Sequence, residues 1–209
     1  TVADGEIVGI VGESGSGKTQ TALAIAGLSP RKAKVTGEIL LDGRDLMPLT
    51  RDEIRKVQGK DVAMVFQEPM SSLNPTMRIG RQVEEVLAIH TKLTKTERRE
   101  LALQALRDVE LREVETVYRK YPHELSGGQR QRVMIASAII GSPKLLIADE
   151  PTTALDVTIQ AEILKLLSKL NREKGMSVLF ISHDLRVIRR LCGRALVMHH
   201  GHIVEQGPV

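Results

Sequence analysis

Two glycine-rich segments, each followed by a segment with helical spacing, have residue types suited to binding phosphate. The first, GESGSGKT at residues 12–19, matches the pattern G-x-x-x-x-G-K-[ST] in full. The second, LSGGQ at residues 125–129, stands directly before a long amphipathic segment. The start of a helix attracts anions because its free N–H groups and the positive end of the helix dipole face outward. The sequence therefore predicts two phosphate-binding cradles on separate helices of one chain.

The first cradle has the context that phosphate binding requires, because it lies between a predicted strand and a predicted helix. Its glycines let the backbone curl around a β-phosphate, Lys18 can reach the β- and γ-phosphate oxygens, and the Thr19 hydroxyl can hold Mg²⁺. A dinucleotide fingerprint is excluded, since Gln20 stands where its third glycine should be. We expect the cradle to consist of Gly12, Glu13, Ser14, Gly15, Ser16, Gly17, Lys18 and Thr19.

Two adjacent carboxylates end a buried strand downstream of this cradle. In LLIADE, residues 145–150, Asp149 is suited to hold Mg²⁺ through a water molecule. Glu150 follows directly, and a carboxylate just past the metal can accept a proton from a water that attacks the γ-phosphate. We therefore expect hydrolysis of a nucleoside triphosphate with Glu150 as the general base. A guanine-reading N/T-K-x-D sequence is missing, which disfavours signalling GTPases.

Apolar runs without alternation predict the strands of a largely parallel sheet that is buried on both faces. Helical segments over about 157–173 and 184–192 separate three of these runs, an alternation that predicts an α/β core. GEILLDGRDL, residues 37–46, predicts a hairpin with Asp42 and Gly43 at its turn, and TQTALAIAGL, residues 19–28, predicts a helix. The predicted strands are 6–12, 61–66, 144–149, 177–182 and 194–200.

The character of the sequence changes between about Pro75 and Gly128, where strand patterns vanish and charged amphipathic segments take over. Thr94 and Glu97 have the spacing of a capping box at the start of the second of these helices. We expect one domain over residues 1–209. Its α/β core would comprise residues 1–74 and 129–209, and residues 75–128 would form an inserted all-helical subdomain.

The second cradle, Leu125 to Gln129, resembles the signature motif of the ATP-binding-cassette (ABC) ATPases. Other motifs of that family stand around it in the same order, so the resemblance spans the whole chain. It implies a P-loop NTPase (RecA-like) parallel-sheet core with a small antiparallel β part and an inserted helical subdomain. The matching positions are Gln67 (Q-loop), Leu145 to Glu150 (Walker B), Ala154-Leu155-Asp156 (D-loop) and His183 (switch histidine).

The resemblance also explains why one chain has two cradles. In ABC ATPases two cassettes pair head to tail, so the P-loop of one and the signature of the other hold the same ATP, with Mg²⁺ as cofactor. It implies that His183 contacts the γ-phosphate and that Gln67 is both a Mg²⁺ contact and a hinge. The residues it adds to the nucleotide site are Ser126, Gly127, Gly128, Gln129 and Asp156.

Residues 66–85 and 151–164 are similar to the di- and oligopeptide importer subfamily, which includes nickel importers. This similarity implies a peripheral ATPase at the cytoplasmic face of the membrane. Its partners would be two permeases, an external solute-binding protein and a second ATPase, identical or related. The alternative is an ABC ATPase that acts on nucleic acid or ribosomes without a membrane partner. Neither sustained heptads between Lys18 and Asp149 nor a second cassette is present to favour it.

The overall composition fits an ABC ATPase but does not by itself identify one. The net charge of +4 fits a solvated surface, and the few aromatic residues do not predict a base-stacking platform for nucleic acid. The single Cys192 is expected to be buried and inert, and no apolar run is long enough to cross a bilayer. HHGH, residues 199–202, is read as a hairpin turn rather than a metal cluster. In ABC ATPases an aromatic residue that stacks on adenine precedes the P-loop strand by more residues than stand here. Members of the importer subfamily usually carry a further segment after the region that matches Gly207-Pro208-Val209, so we expect trimmed N- and C-termini.

Overall fold

The computed structural model describes residues 1–68, 72–153 and 155–209. The strands are β1 (Ile7–Val11), β2 (Leu40–Leu41), β3 (Arg44–Asp45), β4 (Val62–Val65), β5 (Leu145–Asp149), β6 (Ser177–Ser182), β7 (Arg194–His199) and β8 (His202–Pro208). The helices are α1 (Lys18–Ile25), α2 (Arg51–Val57), α3 (Ile79–His90), α4 (Lys95–Asp108), α5 (Val114–Arg119), α6 (Gly127–Ile139), α7 (Val157–Lys174) and α8 (Leu185–Leu191), with a 3₁₀ turn at Pro122–Glu124.

The main sheet has the strand order β4-β5-β6-β1-β7-β8. Its first five strands are parallel, and β8 pairs with β7 in antiparallel orientation. Strands β2 and β3 form a separate antiparallel pair. The five predicted strands of the core are confirmed to within one residue at each end. The predicted mixture of a parallel core, a small antiparallel part and a helical part is therefore the observed fold class.

Hydrophobic clusters cover both faces of the parallel sheet. In β6, Val178 and Phe180 belong to one cluster, whereas Leu179 and Ile181 belong to the other. The first cluster includes buried residues of α6, α7 and α8, and the second includes residues of α1 and α2. Because both faces are covered, the core strands read as continuous apolar runs rather than as alternating patterns.

The helices of the core differ from the sequence prediction in two places. Helices α7 and α8 are confirmed, but α1 ends at Ile25, before the predicted end near residue 28. Gly27 then adopts a positive φ of 67°, as is common just after a helix. Helix α2 was not predicted. The Thr50 and Glu53 side chains form a capping box at its start, a signal that was available in the sequence.

All regular elements between residues 79 and 139, a stretch described without gaps, are helical. The predicted capping box is confirmed, since Thr94 Oγ1 accepts from Glu97 N and the Glu97 carboxylate accepts from Thr94 N. Helix α6 begins at Gly127 and continues through the predicted boundary at residue 128. Its buried residues share a cluster with both α3 and the sheet. The exact subdomain boundaries stay a prediction.

Two tight turns have the backbone geometry expected from their sequences. Asp42 and Gly43 both have positive φ, 49° and 77°, and they join β2 to β3 as predicted. His200 and Gly201, with φ of 45° and 82°, join β7 to β8. The reading of HHGH as a hairpin turn is therefore confirmed.

The buried state of Cys192 is also confirmed. The side chain lies under β1, and burial raises the pKa of its thiol to about 12, so the reactive thiolate is scarce at neutral pH. Across the described ranges, every helix is too short or too polar to span a bilayer.

Candidate nucleotide-binding site

Four parallel strands end at the same edge of the sheet, which brings distant parts of the chain together. Ser182, the last residue of β6, lies opposite Val11, the last residue of β1. Asp149, the last residue of β5, pairs with Ile181 of β6, and β4 pairs with β5 on the other side. The predicted site residues that follow these four strands are Gly12, His183, Glu150 and Gln67.

The loop after β1 requires glycine at several positions. A Cβ atom at Gly12 would overlap the backbone carbonyl oxygen of Met198, so only glycine fits there. Gly15 and Gly17 have φ of 82° and 101°, values that favour glycine. Gly17 is the N-cap of α1 and has no side chain with which to satisfy the first N–H groups of the helix. These N–H groups are therefore available to an anionic ligand.

Lys18 lies inside the curl of this loop and is only 5% exposed. Its Nζ donates to the carbonyl oxygens of Gly12 and Glu13, at 2.8 Å in each case. The lysine thus holds the loop in its curled form and places a positive charge at its centre. The structure confirms the strand–loop–helix context that the phosphate-loop motif requires.

Asp149 is a buried carboxylate, 3% exposed, whose Oδ1 has no hydrogen-bond partner in the described chain. Burial raises its pKa, and the charge of Glu150 adds to this effect, while hydrogen bonding from Thr19 and the charge of Lys18 oppose it. The Thr19 hydroxyl and the free Asp149 oxygen form an oxygen-only donor set, as Mg²⁺ prefers. Within the described ranges, no cluster of three or more His, Cys, Asp or Glu could hold a metal ion.

Three side chains hold the carboxylate of Glu150. Its Oε2 accepts from the Thr153 hydroxyl at 2.8 Å, lies 2.9 Å from His183 Nδ1 and lies 3.4 Å from Gln67 Nε2. Glu150 itself has a φ of 46°, which is uncommon for a residue other than glycine and is typical of functional sites. The sequence predicted Gln67, Glu150 and His183 as site residues, and the structure brings all three together. Thr153 was not predicted, although it lies only three residues after Glu150, the last residue of the Walker B segment.

A cleft of about 700 Å³ joins the phosphate loop to this carboxylate cluster, a volume that suits a nucleotide-sized ligand. The basic Lys18 and the acidic Glu150 both line the cleft. Gln20 and Thr153 also line it, and neither was predicted as a site residue. The predicted residues that line it are Glu13, Ser14, Gly15, Gly17, Lys18, Thr19, Gln67, Glu150 and His183.

The second predicted cradle, Ser126 to Gln129, does not line this cleft. The Ser126 hydroxyl accepts from Gln129 N at 3.3 Å, and Gln129 Oε1 accepts from Ser126 N at 3.0 Å, forming a capping box at the start of α6. A Cβ atom on Gly128 would lie 3.0 Å from Ile159 of α7, so the start of α6 packs closely on α7. Within one chain the two cradles are therefore separate.

Leu155 and Asp156 of the predicted D-loop do not line the cleft. Asp156 is the N-cap of α7, and its Oδ1 accepts from Ile159 N at 2.9 Å. This contact gives Asp156 a local structural role, and its predicted contact with nucleotide stays a prediction. Ala154, the first residue of the predicted D-loop, lies outside the described residues.

The sheet order, the phosphate loop and the adjacent carboxylates define a P-loop nucleotide-binding domain. The protein-family model of ABC transporters matches residues 1–153 of the chain. The chain therefore belongs to the ABC transporter family.

The curated relatives that it matches include transport proteins from several bacteria. It is 54% identical to the peptidoglycan transport ATP-binding protein YejF of Agrobacterium fabrum, over 98% of this chain and 38% of the relative. It is 48% identical to the oligopeptide transport ATP-binding protein OppD of Escherichia coli, over 97% of this chain and 60% of the relative. The chain thus spans between about two fifths and three fifths of the length of these relatives.

A solved structure of a dimeric ATP-binding cassette, in a post-hydrolysis state with ADP and Pi bound, is similar over the whole chain. The TM-score is 0.88 at 34% identity, and the match covers 100% of this chain and 87% of that one. The similarity confirms the fold class that the sequence predicted.

Replacing Asp149 by asparagine should stabilise the chain in Mg²⁺-free buffer. Because the pKa of Asp149 is higher in the folded than in the unfolded chain, its ionised form destabilises the fold at neutral pH, and this cost disappears as the pH falls through the folded-state pKa. We expect Asp149→Asn to raise the free energy of unfolding at neutral pH by on the order of 1 kcal/mol. Urea unfolding at several pH values measures this, and the gain should shrink in acid.

Asp184→Asn is the matched control with the opposite sign. The Asp184 carboxylate pairs with Arg186, and this hydrogen bonding lowers its pKa. The control should therefore destabilise the chain at neutral pH, with an effect that fades as the pH falls through the lowered pKa of Asp184. A loss of stability in Asp149→Asn at neutral pH would contradict the assignment of Asp149 as a carboxylate that burial destabilises.

Proposed function

We propose that the chain is the ATP-binding and ATP-hydrolysing subunit of an ABC importer that takes up peptides. The observation that carries this proposal is the cleft that the phosphate loop and Glu150 both line, with Gln67, Thr153 and His183 around the Glu150 carboxylate. The printed names of the relatives, which refer to transport of peptidoglycan, peptides and oligopeptides, support the transported class. Neither of the two relatives described above is named for nickel, the other solute class implied by the sequence resemblance.

In this proposal the residues at the cleft have distinct roles in ATP hydrolysis. The N–H groups at the start of α1 and the Lys18 ammonium bind the β- and γ-phosphates. Thr19, Asp149 and Gln67 would hold Mg²⁺, which neutralises charge that develops on the phosphate oxygens. Glu150 accepts the proton of the attacking water, while Thr153 and His183 hold its carboxylate in place. His183 is 54% exposed, so its ring can also contact the γ-phosphate.

The second cradle completes the site of a partner chain in this proposal. Ser126, Gly127 and Gly128 lie at the start of α6, outside the cleft of their own chain. The N–H groups of Gly127 and Gly128 and the Ser126 hydroxyl would add hydrogen-bond donors and positive potential where charge develops on the partner's ATP, with Gln129 and Asp156 nearby. The similar solved cassette is described as dimeric, which supports this pairing. The second ATPase would be a copy of this chain or a related one.

An apolar groove beside Gln67 is the best candidate for contact with a membrane permease. The groove has a volume of about 270 Å³ and lies between the core and the helical part of the chain. Phe66, next to Gln67, is 38% exposed at this groove, and Leu28 is 42% exposed. A short permease helix seated here would act directly on the segment that holds Gln67. Two permeases, an external solute-binding protein and the cytoplasmic face of the membrane complete the proposed assembly.

Replacing Glu150 by glutamine tests the assignment of the general base. The amide cannot accept the proton of the attacking water, so we expect turnover to fall by at least ~10²-fold, the usual scale for a lost proton-transfer group. ATP should still bind, and a dimer of cassettes should accumulate because the bound ATP is not hydrolysed. Phosphate release and equilibrium ATP binding measure the two effects. Near-normal turnover would remove Glu150 from this role.

Co-purification tests the importer part of the proposal. The full-length protein would be isolated from native membranes in mild detergent, and the proteins that remain after a salt wash would be identified. We expect multi-span permeases together with a second ABC ATPase or a second copy. Recovery of ribosomes, nucleic acid or only soluble proteins would contradict the importer and favour the alternative of an ABC ATPase without a membrane partner.

A further inference from the structure

An arginine on α6, the helix that begins within the second cradle, connects this cradle to the core. Arg132 lies on α6, six residues after Ser126, and its side chain is only 12% exposed. Its Nη2 donates to Glu162 of α7 at 3.0 Å, and its Nη1 donates to the carbonyl oxygen of Val109 at 2.7 Å. Nη1 also lies 3.5 Å from the carboxylate of Glu110. The Arg132 guanidinium therefore connects α6, α7 and the segment that follows α4.

Arg132 lies at the contact between α7 and residues 108–110 at the end of α4, which we call the seam. The seam contains two further ion pairs. Lys169 of α7 lies 3.0 Å from Glu110, and Lys174 lies 2.7 Å from Asp108. A single exposed ion pair contributes little to the stability of a protein. Here, however, the two pairs lie beside the contacts of Arg132, which is largely buried. Helix α7 begins at Val157, and its N-cap, Asp156, is the last residue of the predicted D-loop. These ion pairs therefore join the helical part of the chain to an element of the catalytic core.

The direction of α6 decides where the second cradle points. The N–H groups after Ser126 lie at the first turn of this helix, and they point along its axis. Gly128 packs against Ile159 of α7 at the start of α6, and Arg132 fixes α6 to Glu162, three residues further along α7. These two contacts together hold the start of the helix against α7.

We propose that Arg132 is a positioning residue for the second cradle, which it orients toward the ATP of a partner chain. This inference rests on the proposed sharing of ATP between two chains. Arg132 does not line the phosphate-loop cleft of its own chain, so its loss should leave that cleft intact. Lysine cannot replace it fully, because an ammonium lacks the planar fork that reaches separate acceptors on α7 and at Val109.

The test compares ATP-dependent dimerisation of variants that all carry Glu150→Gln. Arg132→Gln should weaken dimerisation by at least ~10-fold, because small errors in the placement of binding groups have large effects. Its monomer should bind ATP within about twofold of the parent, since no contact in the cleft is lost. Sedimentation with and without ATP measures dimerisation, and fluorescence titration with a labelled ATP measures binding by the monomer.

Arg107→Gln is the matched control. Arg107 pairs with Glu115 at 2.8 Å within the helical part, and both side chains are about half exposed. This control removes the same charge from the same part of the chain without touching α7, and it should dimerise like the parent. If Arg132→Gln and Arg107→Gln dimerise equally well, the positioning role is overturned.

Two further variants separate the possible failures. Ser126→Arg blocks the second cradle itself and should abolish dimerisation. If Ser126→Arg still dimerises, both the shared ATP site and the positioning role are wrong. If Ser126→Arg does not dimerise but Arg132→Gln dimerises like the parent, only the positioning role is wrong. Glu162→Gln, at a half-exposed partner of Arg132, provides a test should Arg132→Gln unfold. It should weaken dimerisation by itself and should add no more than about twofold to the effect of Arg132→Gln.

Discussion

The whole site depends on one constraint, which is that parallel strands end together at the same edge of a sheet. The order β4-β5-β6-β1 sets Gln67, Glu150, His183 and Gly12 side by side, although as many as 171 positions separate them in the chain. A parallel sheet of this kind must be covered on both faces, and the two hydrophobic clusters provide that cover. The core therefore holds the four segments that follow these strands next to one another.

The site residues are held in states that a stable fold would otherwise avoid. Asp149 keeps a buried oxygen without a partner, Glu150 has a left-handed backbone, and Lys18 is buried in a curl of carbonyl oxygens. The first two features cost stability by themselves, whereas the hydrogen bonds of Lys18 hold the loop in its curled form. In the proposed function, bound phosphate and a cation would offset these costs. The rigid sheet beneath makes these local costs tolerable.

Much of this arrangement could be predicted from the sequence. The apolar strands and the full phosphate-loop motif each have strong local signals, so β1 and residues 12–19 were placed correctly. Helix α2 was missed because only Ile54 and Val57 of its seven residues are apolar, although Thr50 and Glu53 form a capping box at its start. Thr153 and the contacts of Arg132 could not be predicted, because they depend on how α6, α7 and the strand ends pack together. The left-handed backbone of Glu150 likewise has no signal in the local sequence.

The central claim is that one chain supplies only part of each site, because its two cradles lie apart. Cross-linking tests it most directly: chains with Ser14→Cys and chains with Gln129→Cys, all with Glu150→Gln, would be mixed and treated with a short bifunctional maleimide. Native Cys192 is buried and should not react. We expect a cross-linked pair of the two different chains that forms only with ATP. An ATP-independent product, or efficient linkage within one chain that carries both cysteines, would contradict the shared site.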